Sequence, residues 1–146
     1  MRHRLFAAAL AFSLYGCGFV DDVALVGPYR VVAVDIDEQR ELCWSYNSRD
    51  CLTDGLPGPM VYAAGFDDRY LVIAIHPWSD DGKADTPPPS KASHFFYVIR
   101  DLDKEAEAGK TGFHGAPYTA IKGPFDQRAF DAEKARLHLP DFSKHF

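Results

Sequence analysis

Residues Met60 to Pro77 constrain the fold of this chain more than any other stretch. Two runs of apolar, β-branched and aromatic residues flank Asp67 and Asp68, which is the pattern of a β-hairpin with a short turn. Aspartate tolerates the backbone geometry of a tight turn, so this turn does not require a glycine. In the second run, Tyr70 to Ile75, both sets of alternating residues are apolar. Because such a strand is usually covered on both sides, we expect the hairpin to lie in the middle of a sheet.

The rest of the chain supplies further strand patterns and one helix pattern. The strands are predicted at Tyr29–Ile36, Glu41–Tyr46 and His94–Arg100. Asp126 has the character of a helix N-cap, and the helix is predicted to run to about Leu137. The predicted fold is therefore α+β and β-rich, with an antiparallel meander of about five strands and one C-terminal helix.

A sheet with two apolar faces needs more cover than one helix provides. The second face must be closed by curling of the sheet, covered by loops, or left for a partner. Since a large apolar face left open on a soluble protein marks an interaction site, this pattern favours protein binding.

The first residues have the features of an export signal. The segment starts with Met1, Arg2, His3 and Arg4, continues with a ten-residue run from Leu5 to Leu14 that is apolar except for Ser13, and is followed by Tyr15, Gly16 and Cys17. This is typical of a secretory signal peptide and too short to span a bilayer. We therefore predict a signal peptide at 1–16, a lipidated tether at 17–28, and a single globular domain at 29–146 that contains a flexible insert at 77–93.

Cys17 lies where a bacterial lipoprotein carries its lipid. The sequence from Leu14 to Cys17 resembles a lipobox, although Tyr15 is bulkier than the small residue usual at its place. Lipidation of Cys17 would attach the chain to a membrane surface in the cell envelope, at the outer membrane or the periplasmic face in a Gram-negative host. The alternative is an ordinary signal peptide that leaves Cys17 as a free thiol.

The remaining cysteines, Cys43 and Cys51, form an even pair in a chain expected in an oxidising compartment. They bracket a turn-like segment centred on Asn47 and Ser48, so a disulfide across a hairpin neck is predicted. A metal half-site is the competing interpretation, but the spacing of these cysteines matches no common zinc pattern.

The charge of the chain excludes one class of partner. The formal charge is −5, and removal of the first sixteen residues, which carry Arg2 and Arg4 and no acid, leaves 14 basic against 21 acidic residues, a charge of −7. Nucleic acids and anionic lipids attract basic surfaces, so no nucleic-acid partner is expected. We also expect no cofactor.

The sequence contains no established catalytic motif and therefore predicts no catalytic residues. A serine-hydrolase elbow, a zinc-protease helix motif and a phosphate-binding loop are all missing from it. His76 ends the central hairpin and His94 begins the next strand, so antiparallel pairing could bring them together. With Asp80 or Asp81 they are the candidates for a metal or acid–base site. The alternative is that these are scattered histidines beside a solvated acidic cluster.

Several short motifs, taken in order, resemble a family of small bacterial lipoproteins of unknown function. They are Gly27-Pro28-Tyr29 followed by Val31–Asp35, Ala64–Tyr70, His76-Pro77, Phe96–Ile99, and Gly123-Pro124-Phe125 with Phe130. The resemblance covers most of the chain after Cys17 and implies a secreted, lipid-anchored domain. It supplies no catalytic residues. The cysteine pair and the long 77–93 insert depart from the family pattern.

These observations support three functional hypotheses. The first is a non-enzymatic envelope lipoprotein that binds a protein partner, as an inhibitor, an immunity factor or an assembly accessory. The second is a small-molecule or metal-binding envelope protein, including a hydrolase, that uses His76 and His94. The third is a purely structural surface lipoprotein.

Overall fold

A computed structural model describes residues 19–37, 39–45, 51–76, 93–102 and 120–146. These residues form two antiparallel sheets and one C-terminal helix, so the predicted α+β, strand-rich fold is confirmed. The predicted signal peptide, Cys17, and most of the 77–93 insert, including Asp80 and Asp81, lie outside the described residues.

The strands divide between a small and a large sheet. The small sheet contains β1 (Asp21–Ala24), β2 (Tyr29–Ala33) and β3 (Glu41–Trp44), paired in that order. The large sheet contains β4 (Val61–Phe66), β5 (Tyr70–Ile75), β6 (His94–Ile99), β7 (Ile121–Phe125) and β8 (Lys144–His145). Its order is β7-β6-β5-β4-β8. A 3-10 turn (Arg100–Leu102) and the helix α1 (Gln127–Leu137) complete the described elements.

The predicted hairpin occupies the middle of the large sheet. β4 and β5 pair antiparallel around a short turn in which the Asp67 carboxylate accepts hydrogen bonds from the backbone N–H groups of Arg69 and Tyr70, each at 2.7 Å. The aspartate side chain thus supplies the local bond that stabilises a turn without glycine. β5 is the central strand, as its two apolar faces predicted.

The two faces of β5 belong to two separate cores. Alternate residues of the strand point to opposite faces, and both sets are buried. The core between the sheets contains Leu71, Ile73 and Ile75 together with Tyr29, Val31, Leu42, Trp44 and Val98. The core beneath the helix contains Val72 and Ala74 together with Ala63, Phe95, Tyr97, Phe130 and Leu139.

The small sheet corrects two predictions. The strands expected near Tyr29 and Glu41 do not join the meander that contains the hairpin; they form the separate sheet that covers its second face. Neither buried face of β5 is therefore open. In addition, part of the predicted tether is strand β1, whose pairing with β2 runs from Asp21 opposite Ala33 to Ala24 opposite Arg30. β1 is short and half polar, so its strand character comes from this pairing rather than from its own pattern.

The helix begins and ends as the sequence predicts. The Asp126 carboxylate accepts a hydrogen bond of 2.7 Å from the Ala129 N–H, which is the bond expected of an N-cap. His138 ends the helix in the left-handed conformation, with φ of 56°. Phe130 is the buried residue of α1, and its ring stacks on Phe95 with centroids 5.0 Å apart.

The C-terminal tail crosses the hairpin strand β4 and becomes its edge partner. Ser143 N–H donates to Ala64 O at 2.9 Å, and Phe146 N–H donates to Tyr62 O at 3.0 Å. The tail passes so close to Gly65 that a Cβ built there would lie 1.9 Å from the carbonyl oxygen of Asp141. The absence of a side chain at Gly65 is therefore what permits this path.

Candidate functional site

The predicted histidine corner is only partly assembled. His76 follows β5, and its ring stacks on Tyr62 with centroids 4.1 Å apart and an interplanar angle of 11°. The Tyr62 hydroxyl donates to Ser93 Oγ at 3.1 Å. The Nδ1 atom of His76 is buried and has no hydrogen-bond partner among the residues that the structure describes. A buried polar atom without a partner is uncommon, so this corner is a candidate ligand contact.

The strand register separates the two histidines. His94 lies directly opposite Ile75, so the His94 side chain shares a face of the sheet with Ile75. His76 is the next residue after Ile75 and therefore belongs to the other face. The two strand ends are neighbours, but their imidazoles are not. Among the residues that the structure describes, no group of three or more His, Cys, Asp and Glu side chains could hold a metal ion.

The cysteine pair forms the predicted disulfide, Cys43–Cys51, with a Cα–Cα distance of 5.4 Å. Next to it, Trp44 and Leu52 form an antiparallel bridge, with backbone bonds of 2.9 and 3.0 Å in the two directions. The disulfide therefore joins two extended segments side by side and holds the end of β3 in place. Cys43 is fully buried.

In the part of the chain that the structure describes, two strand edges without a further strand partner line one shallow cleft of about 590 Å³. β1 is an edge of the small sheet and β8 is an edge of the large sheet. We call this surface the edge cleft. Its lining residues are Asp21, Val23, Arg40, Ser143, Lys144, His145 and Phe146.

The backbone along β1 is oriented for pairing on both sides. Leu25 N–H donates to Tyr29 O at 3.0 Å. Because the inward and outward groups of an antiparallel ladder alternate, the N–H and C=O of Ala24 point away from β2, towards the open edge. The Asp22 N–H also points outward on this pattern, and it donates to the carboxylate of its neighbour Asp21 at 2.9 Å.

Arg40 connects the two sides of the edge cleft. Its Nε donates to the Asp21 carboxylate at 3.0 Å, and its guanidinium carbon lies 5.9 Å from the centroid of the Phe146 ring. Its Nη1 also donates to the carbonyl oxygen of Asp37 at 2.5 Å. Arg40 thus holds β1 and the C-terminal residue on either side of the cleft.

Four large apolar side chains are exposed near the start of the described chain. They are Phe19 (40% exposed), Val20 (56%), Val34 (54%) and Ile36 (47%), and we call them the apolar patch. Val20 N–H donates to Ala33 O at 2.7 Å, which places the first two beside the end of β2. Phe19 and Val34 also line one concavity of about 400 Å³, whose other lining residues are Val32, Asp35, Gln39, Glu41, Cys51 and Thr53.

A polar cluster fastens the helix to the large sheet. The Tyr97 hydroxyl donates to Glu133 at 3.0 Å, and Arg136 pairs with the same carboxylate at 2.6 Å. Burial, followed by the hydrogen bond to Glu133, raises the pKa of Tyr97. The hydrogen bond from Arg136 is the main reason why the pKa of Glu133 is lowered. These shifts keep Tyr97 neutral and Glu133 charged, which favours a structural role for the cluster.

Sequence reasoning found the cysteines and His76 but missed the edge cleft and the apolar patch. The edge cleft depends on the tail reaching β4, and the only sequence signal for that path is the small residue Gly65. The patch residues Val34 and Ile36 lie in a stretch with a strand pattern, which gives no information about exposure. Asp80 and Asp81 belong to the part of the chain outside the described residues.

The described residues contain no helix with the length and apolar composition needed to cross a membrane. Comparison with known proteins identifies no relative: no protein-family model matches the chain, and neither the curated proteins nor the solved structures provide a match. The resemblance to a lipoprotein family therefore stays a prediction from the sequence.

Proposed function

We propose that this chain is a lipid-anchored protein of the cell envelope that acts by binding another protein. The export signal and the lipobox-like sequence before Cys17 support attachment by an acyl group. The Cys43–Cys51 disulfide supports an oxidising compartment outside the cytosol. The function then rests on the surface that the domain offers to a partner.

The observation that carries the protein-binding proposal is the edge cleft. Exposed strand edges are templates for an additional strand, and domains that bind extended peptides use them in this way. Here two such edges, β1 and β8, line one cleft. A partner segment in extended conformation would pair with the outward N–H and C=O of Ala24, while its side chains contact Val23 and Phe146.

The charge of the edge cleft indicates which segments fit it. The whole chain is acidic, with a formal charge of −5, yet the side chains that line the cleft include two bases, Arg40 and Lys144, against one acidic side chain, Asp21. Asp21 is already paired with Arg40 at 3.0 Å. Charge complementarity therefore favours an extended partner segment that carries Asp or Glu.

A proline at Ala24 tests strand addition directly. Proline lacks the N–H donor but is tolerated on edge strands, so Ala24→Pro removes the outward donor and spares the β1–β2 ladder. Ala24→Ser is the matched control because it changes the side chain and keeps the donor. Each variant is immobilised and exposed to envelope and culture-supernatant extracts of the host, and captured proteins are identified and quantified.

We expect one partner in near-stoichiometric yield with the wild type and Ala24→Ser, and loss of that partner with Ala24→Pro. Lys144→Glu should weaken capture of an acidic segment. Equal capture by all variants would show that the partner binds elsewhere. A blank with every variant, including the wild type, would contradict protein binding as the function.

A second candidate function is small-molecule or metal binding at His76. It is favoured by one observation, the buried Nδ1 atom that has no partner within the described ranges of the chain, beside the Tyr62–Ser93 hydrogen bond. The test is thermal unfolding with divalent zinc, nickel and manganese added singly to the wild type and to His76→Ala. Stabilisation that disappears in the variant would support the candidate. Protein that has no bound metal and shows no thermal shift would contradict it.

A further inference from the structure

The apolar patch is built from two short segments that lie next to each other. Phe19 and Val20 precede β1, and Val34 and Ile36 follow β2, with the Val20 N–H bonded to Ala33 O at 2.7 Å. Phe19 and Val34 line the same concavity, and Val20 and Ile36 are exposed next to them along the chain. Isolated exposed apolar residues are ordinary on soluble proteins, but neighbouring ones mark a contact surface. These four are the large apolar side chains that the described part of the chain exposes.

The position of the patch in the sequence indicates what covers it. Only Gly18 separates Cys17 from Phe19. Two residues of extended chain span at most about 7 Å, which is comparable with the roughly 5–7.5 Å thickness of the headgroup region of one leaflet. We propose that the apolar patch rests on the bilayer to which Cys17 is attached, inserting into the interface and fixing the orientation of the domain. This inference rests on the proposed lipid anchor.

The surrounding charges select the kind of bilayer. Asp21 and Asp22 are neutralised by ion pairs with Arg40 and Arg30 at 3.0 and 2.5 Å. Other acids near the patch, among them Asp35, would be repelled by anionic headgroups. The patch therefore fits a surface of uncharged, zwitterionic phospholipid, where contact depends on apolar burial and not on charge.

A second copy of the chain fits the patch less well. A stable dimer buries roughly 800 Å² on each partner. Four side chains that are each about half exposed provide only a fraction of that area. A bilayer has no such minimum because the acyl group supplies the affinity and the patch only has to orient the domain.

The test places a tryptophan in the patch and another far from it. Ile36→Trp reports on the patch, and Ala132→Trp, on the exposed face of α1, is the matched control. The full chain is expressed with its own leader, purified from membranes and reconstituted in phosphatidylcholine vesicles with brominated acyl chains, which quench only tryptophans that enter the bilayer. The wild type gives the background from Trp44 and Trp78.

We expect the Ile36→Trp signal to be quenched at least about threefold more than the Ala132→Trp signal, as for a side chain that reaches the headgroup–acyl boundary. Adding Val34→Asp to Ile36→Trp should abolish the difference. Vesicles containing anionic lipid should quench less than neutral ones.

Each other result overturns the inference and identifies what failed. Equal quenching at 36 and 132 in protein that floats with the vesicles would leave the anchor intact and refute the membrane contact. In protein without vesicles, the tryptophan at position 36 could instead become shielded from solvent as the protein concentration rises. That result would assign the patch to a contact with a second copy of the chain. Protein that does not float with the vesicles would refute the anchor. A dialkyl maleimide coupled to Cys17 then supplies the lipid. If quenching at position 36 still equals that at position 132, the patch contact is refuted as well.

Discussion

Substitution of Gly65 by alanine is the sharpest test of how the tail closes the large sheet. The added Cβ would lie 1.9 Å from the carbonyl oxygen of Asp141 and 3.0 Å from the Cα of Phe142. An ordinary carbon–oxygen contact is about 3.3 Å, so the tail must retreat by about 1.4 Å. Both neighbours are backbone atoms, and no side-chain rotation can relieve the contact.

The free-energy cost follows from the two ways in which the protein can respond. Straining the packing around an inserted methyl group costs about 1–3 kcal/mol. Releasing the tail breaks at least two backbone hydrogen bonds, from Ser143 and Phe146, at a net cost of about 0.5–1.5 kcal/mol each. It also separates Phe142 from Phe130, whose ring centroids are 5.8 Å apart, and an aromatic pair is worth about 0.5–1.5 kcal/mol. We expect a loss of about 2–3 kcal/mol in the free energy of unfolding.

Urea unfolding and thermal unfolding measure this loss, which corresponds to a fall in Tm of roughly 4–12 °C. Hydrogen exchange of the tail amides distinguishes release from strain, because only release exposes them. Gly58→Ala is the matched control: its added Cβ would come no closer than 3.3 Å to Glu41, at the side-chain Cγ, so a much smaller effect is expected. Equal midpoints for Gly65→Ala and the wild type, with unchanged tail exchange, would refute the reasoning.

Three further predictions test the disulfide, the helix cap and an ion pair. Replacing Cys43 and Cys51 together by serine should lower the free energy of unfolding by about 2–3 kcal/mol, because the bond restricts the unfolded chain and the loop that it closes is short. In urea titrations, reducing agent should destabilise the wild type and leave the double variant unchanged. Asp126→Ala should cost about 1 kcal/mol through loss of the N-cap bond, measured in the same way. The hydrogen bond from Lys134 lowers the pKa of Asp141 below its ordinary value. The stability that this pair contributes is therefore present above the ordinary pKa of an aspartate and is lost as the pH falls through the folded-state pKa. Thermal unfolding between about pH 5 and about pH 2 should therefore show a steeper acid loss in the wild type than in Asp141→Asn.

The sequence predicted those parts of the fold in which local pattern and tertiary structure agree. The two apolar faces of Tyr70–Ile75 correctly placed this strand at the centre, and Asp126 correctly marked the start of the helix. In each case the residues that carry the signal also make the decisive contact. The spacing of Cys43 and Cys51 was informative for the same reason, since a short loop brings its own ends together.

The parts that the sequence did not predict depend on contacts between distant segments. Nothing in Tyr29–Ala33 shows that this strand belongs to a separate sheet, because a strand pattern gives the buried face and not the neighbouring strand. The histidine corner depends on register: an offset of one residue between neighbouring strand ends sends His76 and His94 to opposite faces. β8 contains only Lys144 and His145, which have no strand pattern, and it pairs because Gly65 leaves room for the tail.

The position of the apolar patch relative to the edge cleft restricts the partner as well. Val20 belongs to the patch, and the next residue, Asp21, already lines the cleft. If the patch rests on the bilayer, the first residue of β1 is only one residue, about 3.8 Å of chain, away from that surface. A strand added to β1 would therefore begin next to the membrane. A freely soluble partner would have to approach the membrane to reach the cleft, whereas a segment held near the same bilayer would be present there at high effective concentration. The two proposals together therefore favour a partner that is itself attached to the membrane and presents an acidic, extended segment close to its surface.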